Sequence, residues 1–337
     1  MMPANAQQSG CIIGQAIGDM MGLPFENLTP QRIAKLARFD RPQFFFGYGC
    51  GSDDTEHAGM TLDAVQFANG NVQRFEKRLA SSLRRWFLAG PPGIGLATLK
   101  ACLKLCLGFS PKHSGVRSAG NGPAMRAAIL GVSVPADRLK ELVDVSTRLT
   151  HTDERSVVGS EIIARLAAVA ISINVQEASP WITDVLIPFV GRTELEPLLT
   201  NMQRVIVELE SSTTVLEFAA KLCGRRGVSG FIAHTVPVAV FTFFRHADDY
   251  AEGIRQVILC GGDTDTVAAI AGAMIGARVG VEGIPPEWRK RHFDWPWSLP
   301  RLVRGQRPSL LAWPLMYLRN MQFFVVVLVH LARRLLK

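Results

Sequence analysis

An all-helical fold is what this sequence predicts, on three observations. Apolar residues recur at helical spacing in one segment after another. No alternating series of strands and helices exists from which a sheet could be assembled. Apolar residues make up 48% of the 337 positions and charged residues 20%, which places the chain among packed globular proteins with a sizeable core.

The segments follow in order. "GQAIGDMMGLPFENL" (14–28) sets Gly14, Gly18 and Gly22 at intervals of four, with Asp19 and Glu26 close by. Glycines on one helical stripe cost stability, so the stripe predicts close backbone approach by another helix. Packing alone accounts for the glycines, whereas Glu26, following "LPF", needs solvent or a partner. "FFFGYG" (44–49) reads as a strand. "VQRFEKRLASSLRRWFLAG" (72–90) keeps Phe75, Leu79, Leu83, Trp86 and Phe87 on one side and charges on the other, and Gly90 with "PPG" stops it. Segments 96–109, 122–131, 135–151 and 160–175 repeat the helical pattern, as do 195–210, 213–223, 236–247 and 250–262. "VAAIAGAMIGA" (267–277) is a helix thin enough to lie deep in the core.

Evenly spread breaks and the absence of a linker predict one domain over 10–320, with 321–337 an apolar and basic C-terminal helix or extended tail packed on it. "VVVLVH" (325–330) in that tail reads as a strand, and the apolar run 321–332 is too short to span a bilayer, so no transmembrane segment is expected. Three uses of the tail stay open: core packing, a surface for a protein partner, or a membrane-surface helix.

The formal charge of +8 and pI near 9.4 favour acidic ligands or surfaces. The basic residues are scattered, and no zinc-finger spacing or RNA-binding aromatic motif accompanies them, so nucleic acid is not expected as a partner. Six cysteines without CxxC spacing, behind a start that lacks a signal peptide, predict a reducing, cytoplasmic home.

Two acidic turns stand out. In "GCGSDDTEHAGMTLDAV" (49–65), Ser52 to Thr55 precede a helix, and capping explains one of them but not Asp53 and Asp54 together. Adjacent carboxylates repel unless a cation or separate donors satisfy them. In "CGGDTDTVAA" (260–269), Asp263 and Asp265 can converge at a turn before a helix, with Thr266 at the cap. Two such turns, each with a hydroxyl neighbour, supply all-oxygen ligands suited to two hard cations, Mg²⁺ or Mn²⁺. No HExxH or cysteine cluster offers a zinc site instead, and His57 reads as a core or surface histidine.

In "HSGVRSAGNGPAMRAA" (113–128), Ser118, Gly120, Asn121 and Gly122 form a loop before a helix carrying Arg126. Its backbone amides suit a phosphate, with Arg side chains adding charge; a plain tight turn is the alternative. Thr150, His151 and Asp153 end one helix and begin the next, where His151 can simply cap.

Taken in order, "GxxxGDxxGxPxE" ending at Glu26, "SDDTE" (52–56), "GNGxxMR" (120–126), "TH" (150–151) and "GGDTDT" (261–266) resemble the ADP-ribosylglycohydrolase family. The resemblance implies an orthogonal helical bundle with a two-metal centre at the base of a cleft, and cleavage of the bond between ADP-ribose and a protein side chain. It places metal ligands at Ser52, Asp53, Asp54, Asp263, Asp265 and Thr266. Glu26, Asp54 and Asp263 take the catalytic roles, the loop Ser118, Gly120, Asn121, Gly122 would hold the diphosphate, and His151 would contact ADP-ribose. Ser52 stands where the family commonly has Thr, keeping the hydroxyl but losing a methyl. "PPGIGLATLK" (91–100) lacks an Asp found in some arginine-linkage relatives, which leaves the linkage open. Two rivals remain: a hydrolase of a small ADP-ribose derivative, and an ADP-ribose-binding protein without catalysis.

Overall fold

The computed structural model describes residues 4–44, 47–296, 298–306 and 311–335. Helices of ten residues or more run in the order α1 (Ala4–Gly22), α2 (Asp53–Ala68), α3 (Val72–Leu88), α4 (Leu96–Cys106), α5 (Ala136–Arg148) and α6 (Glu154–Val169). They continue as α7 (Leu198–Leu209), α8 (Ile232–Arg245), α9 (Tyr250–Leu259), α10 (Thr264–Val279) and α11 (Ala312–Leu335). Extended contacts among the described residues are isolated bridges, so the fold is an all-helical bundle.

α10 organises the core. Its sequence is small and apolar nearly all round, and a helix without a polar face is stable only when surrounded. Every residue from Thr264 to Ala277 is buried, and α1, α6, α8 and α9 pack around it. α1 runs antiparallel to it at the closest range. A Cβ on Gly14 would stand 2.3 Å from the Gly272 carbonyl oxygen, and one on Gly18 would stand 2.1 Å from that of Ala268. The predicted glycine stripe therefore lets two backbones meet with no side chain between them. Because the helices are antiparallel, the end of α1, with Asp19, lies beside the start of α10, with its acidic turn.

α2 and α3 form the neighbouring hairpin. Asn69, with a left-handed φ of 44°, ends α2, and Asn71 starts α3 by accepting the Arg74 amide at 2.9 Å. Phe75, Leu79, Leu83 and Trp86 are buried while Arg84 and Arg85 are exposed, as the periodicity of 72–90 requires.

Several expectations need correction. Residues 325–330 are not a strand but the middle of α11, where Phe323 packs inward and Phe324 and Val325 face out. Packing overrides the β-propensity of a valine run. At 44–49 the described residues form no strand; Gly49 makes a single bridge to His292, and residues 45 and 46 lie outside the described set. The helix expected over 160–175 begins six residues earlier, at Glu154, because Asp153 caps it through the Arg155 amide at 3.0 Å. The single helix expected over 122–131 is two short pieces, Ala124–Arg126 and Ala128–Gly131. Ala178–Leu186 is a helix the pattern hid, since Pro180 reads as a breaker but sits in the first turn, where it is tolerated. No helix among the described residues is long and apolar enough to cross a membrane.

Candidate active site

The first acidic turn is held by α1. Buried Asp19 accepts the amides of Ser52 at 2.7 Å and Thr55 at 3.1 Å, and the Thr55 hydroxyl at 2.5 Å. Ser52 caps α2, its Oγ accepting the Asp54 amide at 3.2 Å. That arrangement fixes Asp53 and Asp54 in the first helical turn.

The second turn depends on two glycines. Gly261 (φ 70°) and Gly262 (φ 81°) are left-handed, and a Cβ on Gly262 would stand 2.0 Å from the Val228 carbonyl oxygen. Gly262 N–H donates to the Leu28 carbonyl at 2.8 Å and Asp263 N–H to the Val228 carbonyl at 2.7 Å, so the chain is threaded between two other segments. Asp263, not Thr266, is the N-cap, and it makes no side-chain capping bond. Its carboxylate is engaged across the fold instead, accepting Asn121 Nδ2 at 2.6 Å. Thr264 anchors the helix start by donating to the Gly22 carbonyl at 2.9 Å.

The two turns meet at Asp54. Thr266 Oγ1 donates to Asp54 Oδ2 at 3.1 Å, and Ser52 Oγ donates to the same oxygen at 3.2 Å. The other oxygen, Oδ1, is buried with no hydrogen-bond partner, as is Oδ1 of Asp19. Burial, then the charges of Asp19, Asp53 and Asp263, push the Asp54 carboxyl well above the carboxylate range. Burial followed by Glu26, Asp263 and Asp54 does the same to Asp265, and burial followed by Asp19, Glu56 and Glu26 to Asp53. Burial also raises Asp263, against the hydrogen bond from Asn121. Asp19 is pushed up to about 6, again by burial.

Such a group calls for positive charge. Orphaned buried carboxylate oxygens, mutual repulsion and hydroxyl neighbours form a hard, all-oxygen donor set, which fits divalent ions of the Mg²⁺ or Mn²⁺ type. Among the described residues, no three carboxylate, imidazole or thiolate side chains are already drawn together as the ligand set of one ion.

Asp53, Asp263 and Asp265, with Ser52 and Thr266, which hydrogen-bond buried Asp54, line a cleft of about 650 Å³, within the range of small-molecule sites. Ser118, Gly120, Asn121, Gly122 and His151 line it as well. His151 supports the loop from beneath: a Cβ on Gly120 would stand 3.1 Å from its Nε2 and one on Gly122 3.2 Å from its Cε1. Thr150 Oγ1 lies 2.9 Å from His151 Nδ1. Burial, then Arg126, lower the imidazole to about 3, so it is neutral. Two loop amides are already engaged: Gly120 N–H donates to Ser118 Oγ at 3.2 Å and Asn121 N–H to the Gly230 carbonyl at 2.9 Å. Glu26 also lines the cleft, half-buried and accepting Asn27 Nδ2 at 3.1 Å.

Arg126 does not add charge to the cleft. It is fully buried, donating to Ser146 Oγ at 3.1 Å, to the Ser146 carbonyl and Thr150 Oγ1 at 2.8 Å each, and to the Gly122 carbonyl at 3.4 Å. It joins the glycine loop to the His151 turn from behind, and it contacts His57 Nδ1 at 3.1 Å. His57 is a core residue, edge-on to Trp86.

The sequence reading missed the positioning groups. Asp19 was visible inside "GD" but carried no sign that it would grip residues 52–55. Asn121 was expected on the ligand, and it also holds Asp263. Phe323 and Val327 of α11 line the cleft, which nothing in a tail of valines announced.

Comparison with known proteins gives a consistent result. A family model described as ADP-ribosylglycohydrolase matches residues 5–309. An uncharacterized protein of Archaeoglobus fulgidus is 31% identical over 291 residues, covering 82% of this chain and 88% of its own. ADP-ribosylhydrolase ARH3 of Xenopus tropicalis is 27% identical over 347 residues, covering 86% and 92%. A solved structure described as an ADP-ribosylglycohydrolase-related protein complex shares the fold with a TM-score of 0.66 at 24% identity, covering 94% of this chain and 98% of that one.

Proposed function

We propose, from the premise that this chain belongs to the ADP-ribosylglycohydrolase family, that it frees proteins of ADP-ribose by hydrolysing the bond to a side chain. Membership carries the enzyme class and its activity on ADP-ribose linkages. The protein-linked substrate and the dependence on two divalent cations are our reading. A single observation carries it: two acidic turns far apart in the chain meet at Asp54, whose buried Oδ1 has no hydrogen-bond partner, beside Asp53, Asp263 and Asp265, which line the cleft.

Ser52, Asp53, Asp54, Asp263, Asp265 and Thr266 would hold the cations. When bound, these ions supply Lewis acidity and a lowered pKa for attacking water. The rest of the work falls to the chain. Gly120 and Gly122 give the loop a small cross-section on which a diphosphate can lie, and Ser118, Asn121 and neutral His151 offer polar contacts beside it. Asn121 ties the loop to the carboxylates through Asp263, which aligns the ribose with them. Glu26, with Asp54 and Asp263, accepts the proton of the attacking water, and the departing side chain takes up a proton as the anomeric bond breaks. The balance is one water consumed, with free ADP-ribose and the unmodified side chain released. Catalysis is assigned to one unit spanning 10–320.

The test is time-resolved release of ADP-ribose from arginine- and serine-modified proteins with Mg²⁺ or Mn²⁺, beside an Asp263→Ala/Asp265→Ala control. Release lost in the control is the expected outcome. A folded, cation-loaded protein that binds ADP-ribose and releases none would overturn the hydrolytic reading and favour a binding protein. Turnover of small ADP-ribose derivatives alone would favour the metabolite hydrolase.

A further inference from the structure

α11 lies beyond residues 5–309, the stretch that the family model matches, yet it folds back onto the cleft. Phe323 and Val327 line it. Phe323 is buried against Leu23, three residues before Glu26, and against Phe44, whose ring centroid is 5.7 Å away. The helix is tied to the acidic turn as well. Arg319 pairs with buried Glu56 at 2.8 Å and donates to the carbonyl of Gly51, next to the Ser52 cap.

We propose that α11 is the acceptor-side wall of the cleft, and that Phe323 and Val327 make the enzyme select a short, uncharged acceptor over a long cationic one. This rests on the function proposed above, in which the diphosphate lies on the glycine loop and the ribose over the carboxylates. The group to be released then points toward Glu26 and Phe323. Size is the first argument. Phe323 is backed by Leu23 and Phe44, and it lines both the cleft and a second, apolar cavity of about 660 Å³, so its ring stands between the two spaces. Ring occupancy is the second. The guanidinium of Arg319, paired with Glu56, already lies over the Phe323 ring, 4.8 Å from its centroid, so an arginine acceptor finds that stacking face taken. A serine-type acceptor needs neither the length nor the stacking face.

The test uses the full chain with Phe323→Ala, which opens the two cavities to each other, and Val327→Trp, which narrows the cleft from the half-buried position. Release rates from serine- and arginine-linked ADP-ribosyl peptides are compared, with calorimetric affinities for both peptides and for plain ADP-ribose. Phe323→Ala is expected to raise the arginine-to-serine ratio of kcat/KM about tenfold, the scale of one pocket side chain, and Val327→Trp to lower it, with ADP-ribose affinity unchanged in both. A ratio unmoved by either variant overturns the wall. Parallel loss on both peptides together with ADP-ribose affinity also overturns it, since that is the signature of a structural role. If the wild-type chain binds ADP-ribose but releases nothing, the hydrolytic reading fails on its own, and the ratio of peptide affinities still decides the wall. A wild-type chain that fails to bind ADP-ribose overturns both.

Discussion

Asp54 has one oxygen with two hydroxyl donors and one with none, and its charge is opposed by three neighbouring carboxylates. Its folded-state pKa is raised, so the stability it withholds is present below the unfolded carboxylate pKa and lost as pH rises through the folded value. The expected outcome is that Asp54→Asn raises the melting temperature of metal-free protein by about 2–4 °C near pH 8 and by less near pH 5. Taking the difference from wild type cancels buried His57 and His151 and half-buried His292, whose lowered pKa values act in the opposite direction. The same variant should abolish stabilisation by added Mg²⁺ or Mn²⁺; equal metal-induced shifts in both proteins would remove Asp54 from the ligand set. At this scale the sequence was informative where chemistry is local. Asp53, Asp54, Asp263 and Asp265 stood out because charge crowded into a few positions is unusual beside apolar helices. Asp19, Arg319 and Phe323 did not, since each acts on a partner far away in the chain.

Among the elements, α1 and α10 show how far a pattern reaches. Glycines every four residues announced a close crossing and left its partner unnamed, because the complementary Gly272 and Gly276 sit in a run that looks merely small. Gly18→Ala should cost about 3 kcal/mol or more, at the upper end for overpacking, since its Cβ would meet backbone rather than a yielding side chain. Urea unfolding measures this, and a loss under about 1 kcal/mol would mean that the helices separate easily. Helices with a wet and a dry side, such as α3, were readable nearly to their ends. α11 was not: its valines carry β-propensity, and contacts with distant segments, such as those of Met316, Arg319, Asn320 and Phe323, favour the helix.

For the whole molecule, the buried Arg319–Glu56 pair fastens the last helix to the first acidic turn. Glu56 also accepts Trp86 Nε1 at 2.5 Å, so Arg319→Met would strand a buried carboxylate amid apolar surroundings. The expected cost is about 3–5 kcal/mol, much of it recovered by adding Glu56→Gln, because an uncompensated charge costs more than a missing pair. Chemical denaturation of the four members of the cycle checks this, and strictly additive losses would dissolve the coupling. The pairing of α1 with α10 has a further consequence, for biosynthesis. Residues 4–22 are synthesised well before the helix that must cover their glycine stripe, which follows some 240 residues later. Folding of the centre therefore waits on contacts of very high sequence separation, which is slow. A nascent chain stalled before Gly261 carries an uncovered stripe and half of an acidic site, a natural client for chaperones.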